Sequence, residues 1–485
     1  MKKKIIHIFC IVLIFIATGC SEWLDTIPPD GLVFDEYWKT KEDVESVLMG
    51  AYQQFAKMDE QLFIFGELRA DLISEGTNLP DNQRQIISGN IFPDNTLFSW
   101  ANFYKVINYC NNVIEYAPEV RKIDITFTEF EMQSYISEAK VLRALTYFYL
   151  VRLFKDVPFV LEPSDNDDVF FYPAKTEGDV ILSAMKEDIK QSRLKLKGDY
   201  GNIEENKGRI TQASAEAILA DICLWNFEYE EALTYLNSII NSEKYVLQST
   251  IKWFDIYNPG NSLEGIFEFQ FDATLGQSNT LYNRTWVLNR YVASEYAQEI
   301  LFPATSNENI RGMGSISRET TGFKIWKYCG DAADQVSVRP SSISASANFI
   351  VYRYADILLM KAEALSQLER FDEALEIINT IRSRALMPLV SIGYSTDEFE
   401  TAILLERAKE LAFEGKRWYD LLRMGRRNNY ANKQKLIDIL IENVPSTQKL
   451  VLASKLTNPE GWYLPIYSLE LENNANLVQN SYYSN

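Results

Sequence analysis

The sequence predicts a mostly α-helical protein: helical hairpins form the scaffold, and long loops carrying a few short strands form the working surface. Apolar residues recur at helical spacing in several long stretches. One hairpin pattern occurs twice, offset by 142 residues, and between the copies, over residues 245 to 349, the periodicity fades while Gly, Asn, Ser and Thr rise. With 47% apolar and 13% aromatic residues the chain is globular, and 485 residues allow one large helical domain as readily as two or three average ones.

The elements follow in order. Lys2, Lys3 and Lys4 precede an apolar run from Ile5 to Ile16. That run is shorter than the roughly 20 residues that span a bilayer, so residues 1–19 read as a signal peptide. Its end, Ile-Ala-Thr-Gly-Cys, resembles the lipobox of bacterial lipoproteins, which makes Cys20 the expected lipid attachment site and first mature residue. Ser21 rather than Asp follows it, which favours an outer-membrane destination. A Pro-containing tether, Thr26 to Gly31, leads to a first helical pattern near Phe34. Phe103, Val106, Ile107, Cys110, Val113 and Ile114 mark a helix whose end is expected at Pro118. From Val141 to Phe154 the chain is apolar on nearly all sides, as in a helix buried between others, and Pro158 stops it.

In the repeat, Tyr229 answers to Phe371, Ala232 to Ala374, Leu236 to Ile378 and Ile239 to Ile381. A small alanine admits a close helix crossing. With the helical patterns Ala215 to Leu224 and Ala355 to Leu368 upstream, each copy resembles a tetratricopeptide (TPR) unit of two antiparallel helices. The helix from 134 to 154 reads as a degenerate third copy. Between the good copies, "GIFEFQF" at 265 to 271 alternates like a short strand. The rest reads as long loops, which in compact domains are usually functional. The binding surface is therefore expected here and in the loop from Gly66 to Trp100.

Seven stretches in one order then resemble the SusD/RagB family of surface lipoproteins: "CSEWLD" after the lipobox, "YKVINYCNNVIEYAP", "EAKVLRALTYFYLVRLFKDVPFV", "GRITQASAEAILADICLW", "YRYADILLMKAEAL", "LLERAKELAFEGKRWYDLLRMGR" and "GWYLPIYSLELENNANLVQN". The similarity covers nearly the whole chain, departing at Ala475, where the family often has proline. The resemblance implies a SusD-like helical fold over residues 20–485. It also implies a nutrient-binding role without catalysis or cofactor, and a partner, a SusC-like TonB-dependent outer-membrane transporter.

Composition excludes much other chemistry. The formal charge of −19 repels phosphate backbones and so disfavours nucleic acid. The single histidine, His7, leaves with the signal peptide, so imidazole-dependent nucleophilic catalysis and His-ligated zinc cannot be built. Cys110, Cys223 and Cys329 lie far apart and lack metal-ligand spacing, as expected of buried thiols. "SDNDDVF" from Ser164 lacks the central glycine and terminal glutamate of a calcium loop, so no metal site is expected.

Two constellations remain. Glu406, Glu410 and Glu414 recur every four residues, which puts them on one helix face at Cβ separations of about 5 to 6 Å. A retaining glycosidase needs carboxyl groups about 5 to 5.5 Å apart, but on opposite sides of a sugar. Parallel side chains on one helix do not flank anything, so these carboxylates read as a structural ion network with Arg407, Arg417 and Arg423. The second constellation is the loop aromatics Trp100, Tyr282, Trp286, Trp326 and Tyr328, with Arg69, Arg84 and Asn102 as polar companions. Aromatic faces receive the C–H face of a pyranose while polar side chains meet its hydroxyls. The expected ligand is therefore an oligosaccharide or similar oligomer.

Overall fold

In a computed structural model the described residues are 37–164, 172–304, 310–318, 323–442, 444 and 446–484. Cys20, the lipobox, the tether and most of the acidic stretch after Ser164 lie outside them. The first half runs α1 (Lys41–Ala56), α2 (Asp59–Glu67), β1 (Ile73–Glu75), α3 (Asp81–Ile87), α4 (Ala101–Ile123) and α5 (Glu129–Phe154). It continues with β2 (Val157–Pro158), β3 (Lys175–Thr176), α6 (Gly178–Ser192), α7 (Ile203–Gly208), α8 (Gln212–Trp225) and α9 (Tyr229–Asn241). Next come β4 (Gly265–Phe269), β5 (Tyr291–Ala293), α10 (Arg311–Ser315), α11 (Ser341–Ala345), β6 (Phe349–Arg353), α12 (Tyr354–Gln367) and α13 (Phe371–Arg384). The chain closes with α14 (Thr396–Glu410), α15 (Arg417–Tyr430), α16 (Lys433–Glu442), α17 (Ser446–Leu456) and α18 (Ser468–Asn473).

Local sequence explains the boundaries. Thr40 and Thr128 open α1 and α5 with reciprocal capping boxes to Asp43 and Glu131. In α5 every residue from Val141 to Phe154 is buried, as its all-round apolarity predicts. The helix stops at Lys155, three residues before Pro158, where the backbone turns to positive φ. Pro118 does not end its helix: α4 continues to Ile123. An interior proline costs about 3 kcal/mol, but Ala117 and Val120 on either side are wholly buried and hold the last turns in place.

The 142-residue repeat appears as two helical hairpins, α8/α9 and α12/α13. The turn of each uses a left-handed residue at the equivalent place, Phe227 in one and Glu369 in the other. Ala232 and Ala374 are fully buried at the helix crossings. Although the copies are far apart in sequence, α9 packs on α12, and α8 packs on α6, which pairs with α5. Three hairpins thus stand side by side. Among the described residues the strands form three two-stranded antiparallel pairs, β1–β5, β2–β3 and β4–β6. Two of them position the surface: β6 feeds directly into α12, and β1–β5 ties the loop after α2 to the segment before α10.

Candidate functional site

The carboxylate stripe lies inside the scaffold. Glu406 and Glu410 close α14, but Glu414 sits beyond its end, in a turn where Phe413 and Gly415 take positive φ. All three are buried, Glu410 completely, so no sugar reaches them. Their partners differ from those expected from sequence proximity. Glu410 is bound by Arg353 at 2.7 Å, Arg384 and Arg311; Glu406 by Arg311 at 2.6 Å and Arg382 at 3.2 Å; Glu414 by Arg353 at 2.9 Å and Lys327 at 2.8 Å. Arg407 instead binds Asp356 and Asp420, Arg417 binds Asp71, and Arg423 binds Glu363 and Asp420. The guanidiniums that reach the stripe arrive instead from β6, α10 and α13, and the ammonium of Lys327 from the segment between α10 and α11. Burial pushes the Glu410 carboxyl up, but the Arg384, Arg353 and Arg311 guanidiniums outweigh it and hold the group well below the usual carboxylate range. It cannot serve as a proton donor at neutral pH.

The loop surface is built on α2. Its first residue, Asp59, accepts from the backbone N and hydroxyl of Thr280 at 2.6 and 2.9 Å. Glu60 accepts from Arg284 at 2.8 Å, Tyr291 at 3.1 Å, Arg290 at 3.2 Å and Gln83 at 3.3 Å. These two carboxylates pin both ends of the segment 280–291, which carries Tyr282 and Trp286. Across it, Gly76 and Thr77 donate their backbone N–H groups to Arg290 and Asn289, extending the β1–β5 pairing. Trp286 is partly exposed, its ring lies edge-on to Trp326 at 5.5 Å, and the Lys324 ammonium sits 4.6 Å over it. Sequence reasoning missed Asp59 and Glu60, since acidic residues in a first helical turn are ordinary. Burial raises Asp59 to about 6.

Of the eight predicted ligand residues, five keep exposure. Tyr282 and Trp286 share the pinned segment; Arg84 stands on α3, bound to Glu75 of β1 at 2.6 Å and to Asp81. Asn102 opens α4 and bonds weakly to Gln61 and Gln54 at 3.4 Å. Trp100, Trp326 and Tyr328 are corrections, and the fifth exposed residue, Arg69, is committed within the protein. Trp326 is fully buried and donates to Ala332 O; Tyr328 is buried with its hydroxyl on Phe413 O. Trp100 is buried edge-on against Phe154. Arg69 is half-buried, spent on the Trp462 and Gly461 carbonyls and stacked over Trp418 at 4.2 Å. Each is an aromatic or guanidinium group whose local sequence does not distinguish a buried place from a displayed one.

Beside this surface lies a groove of about 740 Å³ between α1, α7 and the turn after β4. Thr280, held by Asp59, forms part of its wall.

Residues 22–224 match a family described as starch-binding and associating with the outer membrane, and residues 228–483 match the SusD family. SusD-like protein P38 of Formosa agariphila is 30% identical over 87% of this chain and 92% of its own length. The chain belongs to the SusD family. Among solved structures of that family, a SusD superfamily protein of Bacteroides vulgatus aligns at 20% identity with a TM-score of 0.76, covering 92% of this chain and all of its own. A laminarin-binding SusD-like protein aligns at 21% identity and 0.73 (92% and 100% covered), and surface glycan-binding protein A of Bacteroides uniformis at 22% and 0.74 (91% and 100%). The mostly helical SusD-like fold that the resemblance implied is the fold of this chain, and the helices that periodicity implied are its scaffold. No helix among the described residues of this SusD-family chain is long and apolar enough to cross a membrane.

Cys223, Glu228 and Glu231 bring ligand atoms within 4.8 Å of one another. Lys186 already binds both carboxylates, and burial raises the thiol. The trio is a salt bridge built beside a core cysteine.

Proposed function

We propose that this protein captures an oligosaccharide on the loop surface around Tyr282 and Trp286 and delivers it to a SusC-like TonB-dependent transporter, tethered to the outer membrane through a lipid on Cys20. The observation that carries the reading is the pinned segment 280–291, which presents a partly exposed indole and phenol. Glycan-binding relatives of the same fold support it. Binding rather than hydrolysis is favoured because the carboxylates of the stripe, Glu406, Glu410 and Glu414, are neutralised inside the scaffold. The test is glycan binding by the full chain in detergent, with Trp286→Ala as the comparison. A binder whose affinity is unchanged in that variant sinks the assignment of the surface. An array on which no glycan binds sinks the capture role and leaves a TPR-type adaptor. Separately, Cys20→Ser removes lipid labelling and membrane fractionation if the anchor is where the lipobox places it; continued membrane attachment contradicts it.

A further inference from the structure

We propose that the 740 Å³ groove between α1, α7 and the turn after β4 is a second subsite of the same ligand, so that the protein selects an uncharged oligosaccharide long enough to reach from Trp286 into it. The inference rests on the capture role proposed above and adds where the ligand goes next, how long it must be and what charge it carries.

Continuity comes first. One stretch of chain walls both places: Gln277, Ser278 and Thr280 line the groove, and Tyr282 follows Thr280 by two residues, at most about 7 Å of backbone. A chain lying on Tyr282 and Trp286 therefore meets the groove mouth without leaving the surface. Size comes second, since the volume is that of sites enclosing a whole small ligand, typically 300 to 1,000 Å³.

The lining chemistry fits a sugar. Tyr52, Phe269 and Phe271 give the floor, with Phe271 the partly exposed ring. At the rim the side chains of Gln53, Lys57 and Gln277 make no hydrogen bond or ion pair with the protein among the described residues. An amide offers both donor and acceptor, which matches a hydroxyl in either sense. Uncommitted amides around an aromatic floor are a receptor for polyols.

Charge selects among glycans. Glu45, Asp59, Glu204 and Glu205 border the same groove, and its one guanidinium among the described residues, Arg209, is shared between Glu45, Glu205 and the buried Glu138. Lys57 and the shared Arg209 leave an excess of negative charge among these lining residues, so uronate- or sulfate-bearing units are repelled here.

The experiment uses the full chain in detergent, an array of neutral and anionic oligosaccharides, and titration of the bound type in a length series from about two to about eight units. The expected result is a neutral ligand whose affinity rises about tenfold or more with length. Ser278→Trp, which fills the exposed groove mouth, and the rim pair Gln53→Ala/Gln277→Ala abolish the rise but leave the shortest binding ligand unaffected. If Trp286→Ala weakens binding but neither groove variant changes the length dependence, the groove inference is overturned and the capture role stands. Exclusive binding of anionic glycans overturns the charge selection. No binding at any length overturns capture and groove together.

Discussion

Two regions of this molecule use carboxylates as clamps, and they differ in how deeply they do so. Around α14, Glu410 is wholly buried and meets three guanidiniums, themselves carried by separate elements. On the loop surface Glu60 keeps about a fifth of its side chain exposed, as do Arg284 and Arg290 to a similar degree. The same pair chemistry therefore fixes a scaffold in one place and trims a binding loop in the other. Solvent sets the difference: a desolvated charge cannot afford to lose its partner, whereas an exposed pair is screened.

The sharpest way to break the contrast is Glu410→Ala. It leaves the Arg353, Arg384 and Arg311 charges buried beside an empty site, and removing one partner of a buried pair costs about 3 to 5 kcal/mol. Urea unfolding should show a strongly lowered midpoint. A loss below about 1 kcal/mol would mean that the network is no more than a surface pair in disguise.

The second test stays in the scaffold and uses pH. Glu67 is buried, accepts from the Gly415 and Lys416 backbone N–H groups through one oxygen, and leaves the other oxygen without a hydrogen-bond partner among the described residues. Burial raises its pKa from 4.5 to about 8. A carboxyl raised in the folded state holds its proton more tightly there than when unfolded. Its contribution is thus fully present below pH 4.5 and is lost as pH rises towards 8, by at most about 1.4 kcal/mol per pH unit. Glu67→Gln should match the wild type near pH 4 and exceed it at pH 9. Parallel stability curves for the two proteins across that window would refute the assignment.

How much of each region is legible in sequence follows from the same difference. The hairpins are legible because periodicity and the 142-residue offset are local patterns; the turns at Phe227 and Glu369 are not, since neither is the glycine that usually marks positive φ. The carboxylate stripe can be read as structural from helix geometry alone. Its partners cannot, because Arg311, Arg353 and Arg384 are brought to it by folding while Arg407, Arg417 and Arg423 are taken by Asp356, Asp71 and Glu363. On the loop surface, residues 245–349 are recognisable as irregular, yet composition could not tell the displayed Trp286 from the buried Trp326, only 5.5 Å away.

Trp286→Ala addresses the loop region. Losing one stacking aromatic should weaken glycan affinity about tenfold or more while leaving unfolding within about 1 kcal/mol, since the ring is partly exposed. Calorimetric titration and urea unfolding of the same sample separate the two quantities. A collapse in stability would place Trp286 in the core with Trp326.

The smallest effect, and the most direct measure of the contrast, is expected of Glu60→Gln. The amide preserves shape and can still accept a hydrogen bond, so what it removes is the charge facing Arg284 and Arg290. Partly exposed pairs of this kind contribute about 0.2 to 1 kcal/mol, which predicts affinity lower by only a few-fold and stability nearly unchanged. Because Glu60 holds the end of the segment 280–291 rather than the ligand, hydrogen exchange should quicken at the Arg290 amide, which is bonded to Arg284 O. Combining Glu60→Gln with Arg284→Gln should cost less than the sum of the two, as for groups sharing one interaction. Strict additivity would show that Glu60 does not act through Arg284. A destabilisation as large as that of Glu410→Ala would show that the loop clamp is as deeply committed as the scaffold and that burial does not separate the two regions.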